Sequence, residues 1–168
     1  FSQLGTTGLD LRIGINNSHV CGNKFIYIAG NALQVGAVDD LSSRSKELSP
    51  HSTLNVLIEN NYITNCSADY MAGCGIFAGY LQNSRIEHNS ISNLPYTGIS
   101  LGWGWSARET ISGNNSVKFN RIYGIMNFLN DGGGIYTLST SPGTNISYNV
   151  IHDCGENGLY PDQRTNQT

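Results

Sequence analysis

The residues best suited to chemistry in this chain are two aspartates set among aromatic rings. Asp131 sits in the run Asn130-Asp131-Gly132-Gly133-Gly134-Ile135-Tyr136, and Asp162 follows 31 residues later, two positions beyond Tyr160. Hydrolysing a glycosidic bond takes two carboxyl groups flanking it: one protonates the leaving oxygen, the other acts as nucleophile or activates water. Asp131 and Asp162 are the best pair for that work. Their separation, which would distinguish retention from inversion, does not follow from sequence, because Asp162 aligns with Leu138, seven positions past Asp131 and around a corner. Trp103, Trp105, Tyr136, Tyr160 and Phe77 offer ring faces of the kind that stack on pyranose C–H surfaces. Asp69 precedes Gly75 much as Asp131 precedes Gly134 and is a candidate for the same groove. Plainer readings stand beside these. Aromatic rings also pack beneath covering loops, and an Asp at a glycine-rich corner is also a turn-former through its own backbone hydrogen bonds. The residues alone leave both open. Three successive glycines point to an unusual corner or to close approach of the backbone by a ligand.

The elements that must position these groups follow from an internal repeat, the feature to seek first at periods of about 20–50 residues. Val20-Cys21-Gly22-Asn23-Lys24-Phe25 recurs as Ile58-Glu59-Asn60-Asn61-Tyr62-Ile63, and again from Ile86, Val117 and Ile146. The last Asn of each unit falls at 23, 61, 89, 120 and 149, at spacings of 38, 28, 31 and 29. A second element follows each: Asn31–Gly36, then Gly75-Ile76-Phe77-Ala78, Gly98-Ile99-Ser100-Leu101, Gly134-Ile135-Tyr136-Thr137 and Gly158-Leu159-Tyr160-Pro161. Short period-2 apolar segments parted by Asn or Gly read as strands and turns, and no segment carries a sustained helical period. The repeat is too short for propeller blades and lacks the leucine-rich pattern. The expected fold is therefore all-β, a single parallel β-helix domain over 1–168 with about five coils, neighbouring coils stacked about 4.8 Å apart. Recurrent Asn suits left-handed corners and coil-to-coil amide hydrogen bonding. Ile76, Ile99, Ile135 and Leu159 should face the core, which places Phe77, Ser100, Tyr136 and Tyr160 in one outward column. The first coil carries extra polar residues, so a loop should leave the stack at about 37–53. No capping unit is evident, which suggests part of a longer β-helix or a protomer that stacks end to end.

Composition narrows the partners. The chain has 168 residues, with 9 Lys+Arg against 12 Asp+Glu, and charged residues make up only 12%. A net charge of −3 without a basic cluster argues against nucleic acid and anionic membrane. No apolar run is long enough to span a bilayer. The chain does not open on a basic segment followed by an apolar one, so any signal peptide is removed or lies upstream. Cys21, Cys66, Cys74 and Cys154 lack paired zinc spacings, and His19, His51 and His152 show none either, so neither metal nor cofactor is expected. Cys66 and Cys74 bracket one corner and could form a disulfide. Glu59, Glu87 and Lys118 read as one solvated ladder, and His88 as a packing residue at a turn. Asn16, Asn65, Asn114, Asn145 and Asn166 each begin an N-x-[ST] sequon, an acceptor only in a eukaryotic secretory pathway.

The run Gly98–Trp105, with its Gly-Trp-Gly-Trp ending, together with Asp131–Leu138, Pro142-Gly143-Thr144 and Gly158–Asp162, resembles secreted right-handed β-helix proteins of the pectin-lyase-like superfamily. More narrowly, it resembles the glycoside-hydrolase-like group that includes α-L-fucosidase and xylanase members. The resemblance implies secretion, a polysaccharide partner, and cleavage with Asp131 and Asp162 as catalytic residues. It departs from the group after the second aspartate, where Gln163-Arg164 stands in place of an acidic residue and a glycine. The alternative reading is a non-catalytic extracellular structural or glycan-binding β-helix, such as an assembly or fibril subunit.

Overall fold

The computed structural model describes residues 1–39 and 45–165. Within them the apolar segments form strands of two to five residues and no helix. The strands belong to three long parallel sheets and one short pair. The first sheet runs β1 (Leu9–Leu11), β4 (Leu33–Val35), β8 (Ile76–Ala78), β12 (Ile99–Leu101), β15 (Gly133–Thr137) and β18 (Asn157–Pro161). The second holds β2 (His19–Cys21), β6 (Leu57–Glu59), β10 (Arg85–Glu87), β13 (Ser116–Lys118) and β16 (Asn145–Ser147). The third holds β3 (Lys24–Ile26), β7 (Tyr62–Thr64), β11 (Ser90–Ser92), β14 (Arg121–Ile125) and β17 (Val150–Cys154), while β5 (Thr53–Leu54) pairs with β9 (Leu81–Gln82). Each coil visits the second, third and first sheets in turn, the path of a parallel β-helix.

Register is one residue to one residue, so like positions stack. Ile76, Ile99, Ile135 and Leu159 form one row, and Phe77, Ser100, Tyr136 and Tyr160 the adjacent one. The first sheet has one more rung than the repeat implies, because Leu9-Asp10-Leu11 pairs with Leu33-Gln34-Val35. Inward rows from the three sheets meet as the core: Ile86, Ile91 and Ile99 of one coil are all buried, and the same positions repeat above and below. Each such side chain contributes roughly 1.5–3 kcal/mol on leaving water. Towards β16–β18 the rows open, and Leu159 is 48% exposed.

The corner between the second and third sheets divides its work between two residues. The left-handed backbone falls on Gly22, Asn60, His88, Phe119 and Tyr148, each one place before the recurrent Asn. That corrects the expectation that the recurrent Asn itself turns the corner, and it gives His88 a backbone role. Asn61, Asn89 and Asn120 point inward and are buried. Each side-chain oxygen accepts two bonds from the preceding coil's Asn, one from its backbone N–H and one from its side-chain amide, all 3.0 Å within Asn61–Asn89–Asn120–Asn149. The result is a continuous amide ladder down the stack.

Part of the 37–53 segment falls outside the described residues; beyond that part, Lys46 pairs with Glu109 at 2.6 Å, linking it to the loop after β12. All four cysteines are free, so the disulfide that Cys66 and Cys74 could form is not made. The Cys66 thiol instead donates to the Thr64 carbonyl at 3.4 Å. Burial pushes Cys74 up to about 12 and raises Cys66 as well. Alkylation of the native protein should therefore mark Cys21 and Cys154 and spare Cys66 and Cys74 until unfolding, a pattern that peptide mapping resolves.

Candidate active site

The triple glycine is explained by the neighbouring coils, not by a ligand. A Cβ on Gly132 would lie 2.5 Å from Thr97 Oγ1 and 2.7 Å from the Tyr96 ring, and one on Gly134 would lie 2.6 Å from the Gly158 carbonyl. None of the three adopts a left-handed backbone; Asp131 does, at φ 62. Asp131 is thus the corner residue at the entry to β15, and it is exposed. The Tyr96 hydroxyl donates to its carbonyl at 2.8 Å and pins the corner.

From this corner the two aspartates and two tyrosines bond crosswise between adjacent coils. Tyr160 donates to Asp131 Oδ1 at 3.3 Å, and Tyr136 donates to Asp162 Oδ2 at 2.6 Å. Their rings lie 5.4 Å apart at 45°. Asp162 leaves β18 with its N–H bonded to the Thr137 carbonyl at 3.0 Å, which holds it against the β15 rung. Burial and the Asp162 carboxylate together push the Tyr136 phenol far above its ordinary value. The Asp162 charge, then burial and Asp131, raise Tyr160; burial is the leading cause for Tyr96, with smaller contributions from both aspartates. One cluster therefore holds both carboxylates and three phenols.

The raised phenols have a pH consequence. The folded chain holds the Tyr136 proton more tightly than the unfolded one. The stability this contributes is complete below the ordinary phenol pKa of about 10 and is lost as pH rises towards the folded value. Alkaline absorbance titration should find Tyr136 ionising late, and Asp162→Asn should bring that step down. A titration unchanged by the substitution would show that Asp162 does not govern the phenol.

The remaining rings form a second group on the same sheet. Trp103 meets Phe77 edge-on at 5.5 Å and Trp105 at 5.2 Å, and Trp105 is 55% exposed. The loop that carries them starts at Gly102, where φ is +86 and a Cβ would lie 2.1 Å from the Leu138 carbonyl, so only glycine fits. The two indoles, with Tyr80, Arg108, Thr110 and Ser139, line a cavity of about 260 Å³. Ser100, the row member between Phe77 and Tyr136, is buried and parts the two aromatic groups.

Asp69 does not join them, a correction to the sequence reading. It lies in a separate depression with Leu4 and Tyr27, because its loop turns back on the preceding coil and its N–H bonds the Ala29 carbonyl at 3.2 Å. Tyr96 was missed as a site residue. Its signal is the large-to-small match with Gly132, the equivalent position one coil on. Of the sequon residues, Asn16, Asn114 and Asn145 are exposed, Asn65 is half-buried, and Asn166 lies outside the described residues. Away from this face, one group among the described residues could hold a metal: His19, Cys21 and Glu59.

A family model described as "Right handed beta helix region" matches residues 5–168. The chain belongs to the right-handed β-helix family. A solved structure named "Glycoside hydrolase" is similar to this β-helix at 33% sequence identity and a TM-score of 0.86. The match covers 92% of this chain and 26% of that one, so the β-helix spans about a quarter of that protein's length. Among curated proteins none matches. The fold is thus the right-handed, pectin-lyase-like β-helix, and its first sheet carries the Asp–Tyr cluster.

Proposed function

We propose that this β-helix is a secreted, carbohydrate-active protein that cleaves a polysaccharide across the outer face of its first sheet. The observation that carries the reading is the crosswise bonding of Asp131 with Tyr160 and of Asp162 with Tyr136. It gathers two carboxylates in one cluster, the pairing that glycoside hydrolysis needs, around a buried Tyr136 and a half-buried Tyr160. The resemblance of the Gly-Trp-Gly-Trp and Asp-Gly-Gly-Gly segments to a glycoside-hydrolase-like group supports it, as does the name of the similar solved structure. Asp162, held by a short bond from Tyr136, serves as nucleophile or water-activating base. Asp131, more loosely held and solvent-facing, delivers the proton to the leaving oxygen. Trp103 and Trp105 stack on a sugar ring further along the face.

The test is release of reducing ends from a panel of neutral and acidic polysaccharides by the full chain, with Asp131→Asn/Asp162→Asn as control. Release that depends on the aspartates supports the reading. Release that persists in the double variant, or binding without any release, overturns it; the second result leaves a glycan-binding protein.

A further inference from the structure

We propose that His19, Cys21 and Glu59 form a zinc site on the outer face of the second sheet. His19 and Cys21 stand two apart on β2 with Val20 buried between them, so strand alternation turns both side chains outward. Glu59 is the register partner of Cys21 on β6 and comes from the next coil. The imidazole, thiol and carboxylate atoms all lie within 4.8 Å of one another, and His19 Nε2 is 3.0 Å from Glu59 Oε1. A tetrahedral zinc with nitrogen and oxygen ligands at about 2.0–2.1 Å spaces those two atoms about 3.3 Å apart, so the pair closes on a metal with little movement.

The donor set selects the ion. A thiolate beside an imidazole disfavours calcium and magnesium, which take oxygen ligands, and suits a borderline-soft divalent ion. Three protein ligands leave the fourth position to water. The surroundings agree in charge: Glu87 continues the row beyond Glu59, and Lys118 lies one rung further still. His19 and Cys21 are exposed on the outer face, so the ion can enter from solvent. A bound zinc would clamp β2 to β6 of the next coil, through side chains that take no part in the Asp–Tyr cluster.

The test uses cobalt and zinc salts on the reduced full chain in a Cys154→Ser background, which removes the other partly accessible thiol. One equivalent of cobalt should bind with a thiolate-to-metal charge-transfer band, and zinc should displace it. Cys21→Ser should abolish the band, and His19→Ala and Glu59→Gln should each weaken binding by at least about tenfold, equivalent to about 1.4 kcal/mol. In the chain with all four native cysteines, zinc should protect Cys21 from alkylation while Cys154 still reacts, a readout that needs no variant. Absence of the band at about 100 μM cobalt, alkylation of Cys21 unaffected by zinc, or equal binding by His19→Ala/Cys21→Ser/Glu59→Gln would each overturn the site.

Discussion

Asp162→Asn is expected to lower kcat for polysaccharide cleavage by about 10²–10⁴-fold, the usual contribution of a positioned acid or base, with KM changed only a few-fold. Asparagine keeps the size of the side chain and an oxygen that still accepts from Tyr136, now 2.6 Å from Asp162 Oδ2. The bond survives while the charge and the basic lone pair are lost. Asp131→Asn should cost a similar factor, and the double variant little more than either alone, because groups that act as a unit are not additive. Tyr136→Phe separates positioning from chemistry. It keeps both carboxylates, so it should cost far less. Reducing-end kinetics on one responsive glycan measure all four. Near-wild-type turnover by Asp162→Asn would remove this residue from the reaction, whatever the fate of Asp131.

The contrast between what was legible and what was not has a physical origin. Parallel coils stack like on like, so Ile76, Ile99, Ile135 and Leu159 declare their row through the repeat alone. The register of the Phe77–Ser100–Tyr136–Tyr160 row and the Asn ladder were legible for the same reason, but the row is not open to solvent as alternation predicts: Ser100 and Tyr136 are buried. β1 was not, because Leu9-Asp10-Leu11 has no preceding Ile-x-x-Asn unit to mark its coil. The left-handed corner lies one residue before the recurrent Asn. The residues that occupy it include Phe119 and Tyr148, bulky types for which a positive φ is uncommon, so composition points away from them. The candidate site was half legible. Asp131, Asp162 and the rings could be named, but their crosswise pairing depends on the path round a corner that alignment does not describe. Asp69 sits in a similar sequence context to Asp131 yet lies elsewhere, since its loop bonds to the coil before it. The grouping of His19 and Cys21 with Glu59 is invisible in linear spacing, because Glu59 arrives from the next coil.

Asn89→Ala is expected to be the most damaging single change to stability, at about 3–5 kcal/mol, since each buried group left without a partner costs about 1–3 kcal/mol. Asn89 is 1% exposed. Its amide nitrogen donates to the Ile58 and Glu87 carbonyls and to Asn120 Oδ1, while its oxygen accepts from both nitrogens of Asn61. Alanine strands the Asn61 backbone N–H and takes one bond each from the Ile58 and Glu87 carbonyls and from Asn120 Oδ1, in a place water does not reach. Against a native stability of about 5–15 kcal/mol that is a large fraction, and for a chain of this size it lowers Tm by about 6–20 °C. Asn23→Ala supplies the comparison at the rim. Asn61 Oδ1 keeps the bond from the Asn23 backbone N–H at 3.0 Å, so only two solvent-accessible amide bonds are lost, to Asn61 Oδ1 and to the Cys21 carbonyl, each worth about 0.5–1.5 kcal/mol at most. Chemical denaturation of the two variants measures both, and equal losses at the rim and in the middle would show that the ladder adds nothing beyond its individual bonds. The shape of the unfolding curve carries further information. In a solenoid each coil contacts only its neighbours, so a break at Asn89 weakens the coupling between the Asn61 and Asn120 coils. The variant should therefore unfold over a broader range of denaturant than the parent, with the coils on either side of Asn89 beginning to melt apart.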